Sequence, residues 1–220
     1  MNEEEWLSSN SPLKLLMHAR RNSPTLRTSA GRRKFRLFGV GCTRRIWSAL
    51  REGAQRGAVE VAEQFADGVG IWANMWFAWE KALDSEFGPG RKPLVDVLYG
   101  VCDDETWEAA KVWRVTSGVA FNVARGNKPD VEKRQIAALA RCIFGNPFRS
   151  VAFDPAWRTS DVVALARGIY DDRAFDRMPI LADALQDAGC DNDDILTHCR
   201  DTNTPHARGC WVVDLVLGKA

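Results

Sequence analysis

The chain has 220 residues, with 30 Lys and Arg against 29 Asp and Glu, so net charge points to no class of partner. Its hydrophobic fraction of 45% and charged fraction of 27% are those of an ordinary globular protein able to bury a core. They exclude a collagen-like, low-complexity or strongly charged disordered chain.

The opening Met1-Asn2-Glu3-Glu4-Glu5 is the opposite of a basic secretory leader. No apolar run approaches the roughly 18 residues needed to span a bilayer. Six scattered cysteines without secretory context read as reduced thiols. The expected location is cytoplasmic, away from membranes.

Charge is unevenly spread. Residues 11–60 carry twelve basic and two acidic side chains, whereas residues 150–220 carry twelve aspartates and seven basic residues. One reading is a nucleic-acid-binding segment formed by Arg32, Arg33, Lys34, Arg36, Arg44 and Arg45. The other is that the two ends face each other, or that the arginines coat a solvated helix face.

Phe35, Phe38, Cys42, Ile46 and Leu50 recur at helical spacing, which predicts an amphipathic helix with a basic outer face. Val59, Ala62 and Phe65 predict a second helix stopped near Gly68. Residues 69–86 are the most apolar stretch. Trp72, Trp76, Trp79 and Leu83 form a stripe there, and Met75, Phe77 and Ala78 extend the apolar surface around the helix. That pattern predicts a central, buried element rather than a ligand-stacking surface.

Gly88-Pro89-Gly90 is a break, followed by a short helix at 93–99 and a longer one from Asp103 or Asp104 to Gly126. Pro129 suits the first turn of a helix holding Ile136, Leu139, Ala140 and Ile143. Residues 146–158 lack a helical period and read as an ordered linker pinned by Phe148, Phe153 and Trp157. Ser160 is expected to cap the next helix, and another closes at Gly189. A short helix follows over 191–200, then a last one over 211–217, a stretch short enough to be a strand instead. The expected fold is all-α, an irregular bundle or short array of about eight helices. It divides into an N-terminal region (1–145), the linker, and a C-terminal region (159–220), forming one compact unit.

The densest chemistry lies in Cys190-x7-His198-Cys199-x6-His206-x3-Cys210. Thiolate and imidazole are the usual ligands of zinc. Cys190, His198, His206 and Cys210 make the expected ligand set, with Cys199 facing the core beside Leu196. No Cys-x2-Cys pair supports it, so the competing reading makes the cysteines small buried apolar residues. A Cys–His nucleophile is a further option, with Cys210 at a helix start and His206 four residues before it. The aspartates at 171, 172 and 176 and at 191, 193 and 194 read as helix starts and solvated faces. The glycine-rich stretches 38–41 and 88–92 lack the phosphate-binding patterns.

Several stretches share a wording: FRLF at 35–38 through RRIW at 44–47, IFGNPFR at 143–149, IYDDRAFD at 169–176, PILADAL at 179–185, GCWVVDL at 209–215, and the opening EEWL at 4–7. Together they resemble a large, largely uncharacterised family of planctomycete bacterial proteins with no agreed activity. The resemblance implies a bacterial, cytoplasmic protein and little about chemistry. Because such proteins are richer in cysteine just before the two arginines, where this chain reads Gly41-Cys42-Thr43, it speaks against a metal role for Cys42.

Three function classes follow in order. A non-catalytic helical module that binds another protein or acts as a scaffold comes first. A nucleic-acid-binding protein is second, and an enzyme using the C-terminal Cys/His cluster third.

Overall fold

The computed structural model describes residues 1–22, 28–50, 52–84 and 129–219. The two helices expected over 93–126 lie outside them. The described residues form ten α-helices and no strand. These are α1 (Glu3–Ser8), α2 (Pro12–Asn22), α3 (Ser29–Arg44), α4 (Ala54–Ala66), α5 (Trp72–Asp84), α6 (Pro129–Phe144), α7 (Ser160–Asp172), α8 (Met178–Asp187), α9 (Asp193–Arg200) and α10 (Trp211–Leu217). The all-α reading holds, and Trp211–Leu217 is helix, not strand. None of these helices is long and apolar enough to cross a membrane.

Local signals account for most of the boundaries. Asn2 and Glu5 form a capping box that starts α1, a device the sequence reading passed over. Pro129 is the first residue of α6, and Gly145, at φ +68°, ends it. The cap of α7 is Thr159, one residue before the expected Ser160; its hydroxyl accepts from the Val162 amide. Asn192 caps α9 in the same way.

Two apolar clusters meet across α6. The first gathers Trp6, Leu15, Phe38, Val59, Met75, Ile136 and Ile143 from α1 to α6. The second gathers Cys142 with Val162, Ile169, Leu181, Leu185, Ile195, Val212 and Val216 from α6 to α10. Of the linker aromatics, Phe153 and Trp157 meet edge to face and pack against the second cluster, while Phe148 stacks on His18 at 5.0 Å.

The expected roles of α3 and α5 are exchanged. Nine consecutive residues of α3, Phe35–Thr43, are buried, including the arginine Arg36. Glycine makes this possible: a Cβ on Gly41 would sit 3.0 Å from Leu139 Cδ2, so α6 approaches the bare backbone. In contrast, α5 leaves Trp72, Trp76 and Phe77 exposed at 43%, 38% and 65% and buries Met75 and Ala82. Among the described helices, its contacts are mainly with α4. Hydrophobic period alone cannot distinguish a surface helix with too much aromatic area from a core helix. Met75→Ala is expected to cost about 2–5 kcal/mol. Phe77→Ser is expected to move stability by no more than about 0.5 kcal/mol in urea titrations. Equal costs would return α5 to the core.

Part of the basic segment is neutralised inside the molecule. Arg33 Nη1 donates to the fully buried Asp214 (2.6 Å), and its Nη2 to Tyr170 Oη and Asp67 (2.9 and 3.2 Å). Glu63, 2% exposed, gathers Arg44, Arg173 and Arg208. Arg45 pairs with the buried Glu132 of α6. The basic segment therefore meets the C-terminal region at Asp214, and these contacts bind α3 and α4 to α7 and α10.

Candidate metal centre

Four donors from three parts of the chain converge. Cys142 lies in the last turn of α6, His198 near the end of α9, His206 in the loop after α9, and Cys210 just before α10. Their ligand atoms all lie within 4.8 Å of one another. His198 Nε2 is 3.2 Å from Cys210 Sγ. His206 Nδ1 is 3.5 Å from Cys142 Sγ and 4.0 Å from Cys210 Sγ. The imidazoles stand edge to face, 4.9 Å between centroids. Both sulfurs are fully buried.

The loop is shaped to deliver its two ligands. Asp201 accepts from the Asn203 amide and the Thr204 hydroxyl, closing a turn before His206. Arg208 Nε and Nη2 donate to the terminal carbonyls of α7 at Tyr170 and Asp171, and its guanidinium lies over the Tyr170 ring. Gly209, at φ +88°, turns the backbone where a Cβ would meet Leu37 Cδ1 at 2.9 Å. That turn brings Cys210 inward beside α6.

Burial pushes the Cys142 thiol well up, and its bond to Cys210 adds to this. Cys210 also feels burial upward, but the bond from Cys142 and the nearby His198 outweigh it and hold its thiol well below the ordinary value. The two thiols are thus pushed in opposite directions, with Cys142 the donor in the bond between them. For His206, burial pushes down, while Cys210 and Asp201 push up more strongly, leaving it raised. A divalent cation would replace the shared proton and satisfy four donors at once.

Three of the four expected ligands, His198, His206 and Cys210, lie in this group, but Cys190 does not. Cys190 follows Gly189 at the end of α8, where its amide donates to Leu185 O, and its side chain is packed into the second apolar cluster. Cys142 takes the fourth place. No short-range spacing marks it, because α6 reaches the loop only by tertiary packing. Cys199 is in the second cluster with Leu196, and Cys42 is buried in the first.

The six basic residues do not form a solvent-facing patch. Arg33, Lys34, Arg44 and Arg45 are ion-paired to carboxylates, and Arg36 is buried with its guanidinium over Phe65. Arg32 is exposed.

No family model matches the chain, and no curated protein or solved structure is similar enough to it to count as a match.

Proposed function

We propose that this is a non-catalytic helical module whose C-terminal half is stapled by a structural zinc ion held by Cys142, His198, His206 and Cys210, and which serves another protein as a binding or scaffold surface. The carrying observation is the convergence of two thiols and two imidazole nitrogens within 4.8 Å. A zinc tetrahedron with bonds of about 2.0 Å to nitrogen and about 2.3 Å to sulfur has edges of roughly 3.3–3.8 Å. The separations of 3.2, 3.5 and 4.0 Å need only small side-chain shifts to match. Soft sulfur with imidazole favours zinc over magnesium or calcium. Four protein ligands leave no open position for a reacting water, which argues for a staple rather than a catalyst.

The nucleophile reading has one supporting observation, the His198–Cys210 contact with its lowered thiol. Cys210 is 0% exposed, however, and no substrate carbonyl can reach its sulfur. The nucleic-acid reading loses support because four of its six residues are ion-paired to carboxylates and Arg36 is buried. For a protein partner, the supporting feature is the exposed apolar run Val69, Ile71, Trp72, Trp76 and Phe77. Two stretches behind the planctomycete resemblance, 143–149 and 209–215, adjoin or contain ligands, which fits a bacterial family sharing the staple.

The test is calorimetric unfolding of the purified chain with and without a zinc chelator. A lower midpoint with chelator, restored by added zinc and not by magnesium, supports the staple; identical melts would sink it.

A further inference from the structure

A cavity of about 450 Å³ opens between α1, the end of α6, α9 and α10. That is within the size range of small-molecule sites, roughly 300–1,000 Å³. Phe144 and Trp211, both half-buried, contribute aromatic rings to its lining. Arg141 supplies a cation of unusual standing. Its Nη1 donates to the backbone oxygens of Trp6 (3.2 Å) and Ser9 (3.0 Å), which fixes the guanidinium plane. Its Nε and Nη2 donate to no described residue, and no described carboxylate pairs with it. Burial lowers its pKa, the mark of a charge without a counter-ion.

The other charged groups of the lining are already matched. Lys34 Nζ donates to Ile143 O at 3.0 Å and lies 3.6 Å from Asp214. Arg149 is paired with Glu3 and Asp194. Asp201 is turned to Asn203 and Thr204. What Arg141 lacks is a negative charge at the free edge of a guanidinium that the backbone already holds still. Nε and Nη2 form the side-on fork that a carboxylate engages with two parallel hydrogen bonds.

We infer that this cavity is a binding site for a small organic carboxylate with a flat apolar body, its carboxylate on Nε and Nη2 of Arg141 and its body against the aromatic rings. A bare inorganic anion would leave the aromatic walls wet, and a neutral aromatic would leave the cation unmatched. Cys142 and His198 also line this cavity, but the carboxylate site itself uses Arg141 and the aromatic wall and needs no metal.

The experiment is isothermal calorimetry on the intact chain with benzoate and indole-3-acetate as probes and benzamide as the neutral counterpart. At least one carboxylate is expected to bind, about tenfold or more tighter than benzamide. Arg141→Gln is expected to weaken that binding by about tenfold or more while zinc content stays at the wild-type level. Since Arg141 also helps dock α1, a second variant leaves its charge alone. Ala138→Leu, at a half-buried lining position, adds three carbons to the cavity wall and is expected to weaken binding with no loss of melting temperature. Equal binding of benzoate and benzamide, undiminished binding by folded Arg141→Gln, or no heat with either carboxylate would overturn the assignment.

Discussion

Cys142→Ala is expected to strip the purified protein of its zinc, whereas Cys190→Ala keeps it. Both changes delete one buried sulfur, so their packing costs should be alike, about 1 kcal/mol. The metal separates them. An ion present at about a thousand times its dissociation constant, bound only by the folded chain, contributes about 4 kcal/mol. For a chain of this size that corresponds to roughly 8–16 °C in melting temperature. Cys142→Ala should therefore fall by that much more than Cys190→Ala, and the gap should close when both are melted in chelator. Retention of zinc by Cys142→Ala, or its loss from Cys190→Ala, would reinstate the ligand set that the C-terminal spacing alone suggests.

The second large effect is expected at Asp214→Asn. This carboxylate is fully buried on α10, paired with Arg33 at 2.6 Å and Lys34 at 3.6 Å. Removing one partner from such a pair strands the other charge in a poorly solvated site, at about 3–5 kcal/mol. The melting temperature should drop by roughly 6–20 °C. Glu52→Gln is the contrast. Glu52 pairs with Arg56 at 2.9 Å but is 86% exposed, and exposed pairs of this kind contribute about 0–1 kcal/mol. Similar losses for both variants would mean that the internal ion pairs do not hold the two halves together.

What the sequence made legible depended on the range of the interactions involved. Caps and breakers act over a few residues, so Pro129, Gly189 and the 211–217 helix fell where local chemistry put them. His198, His206 and Cys210 stood out because they share one loop and its flanks. Cys142 stayed hidden because nothing beside it in the chain is a ligand; only the packing of α6 against the 201–210 loop makes it one. Cys190 was attractive for the opposite reason, near in sequence yet turned into the second cluster. The exchange of α3 and α5 has a similar cause. Arginines on and just after α3 read as a solvated face, but the carboxylates that accept them, Glu63, Asp67, Glu132 and Asp214, lie on or at the end of other helices. Tryptophans on α5 read as core, but burial needs a neighbour on each side, and among the described helices α5 is covered chiefly by α4.

The most direct test of the central claim is zinc-edge X-ray absorption on the full chain purified without added metal. One zinc per chain is expected, with two sulfur neighbours at about 2.3 Å and two imidazole nitrogens at about 2.0 Å. A metal-free protein, or zinc bound by oxygen and nitrogen alone, would contradict it.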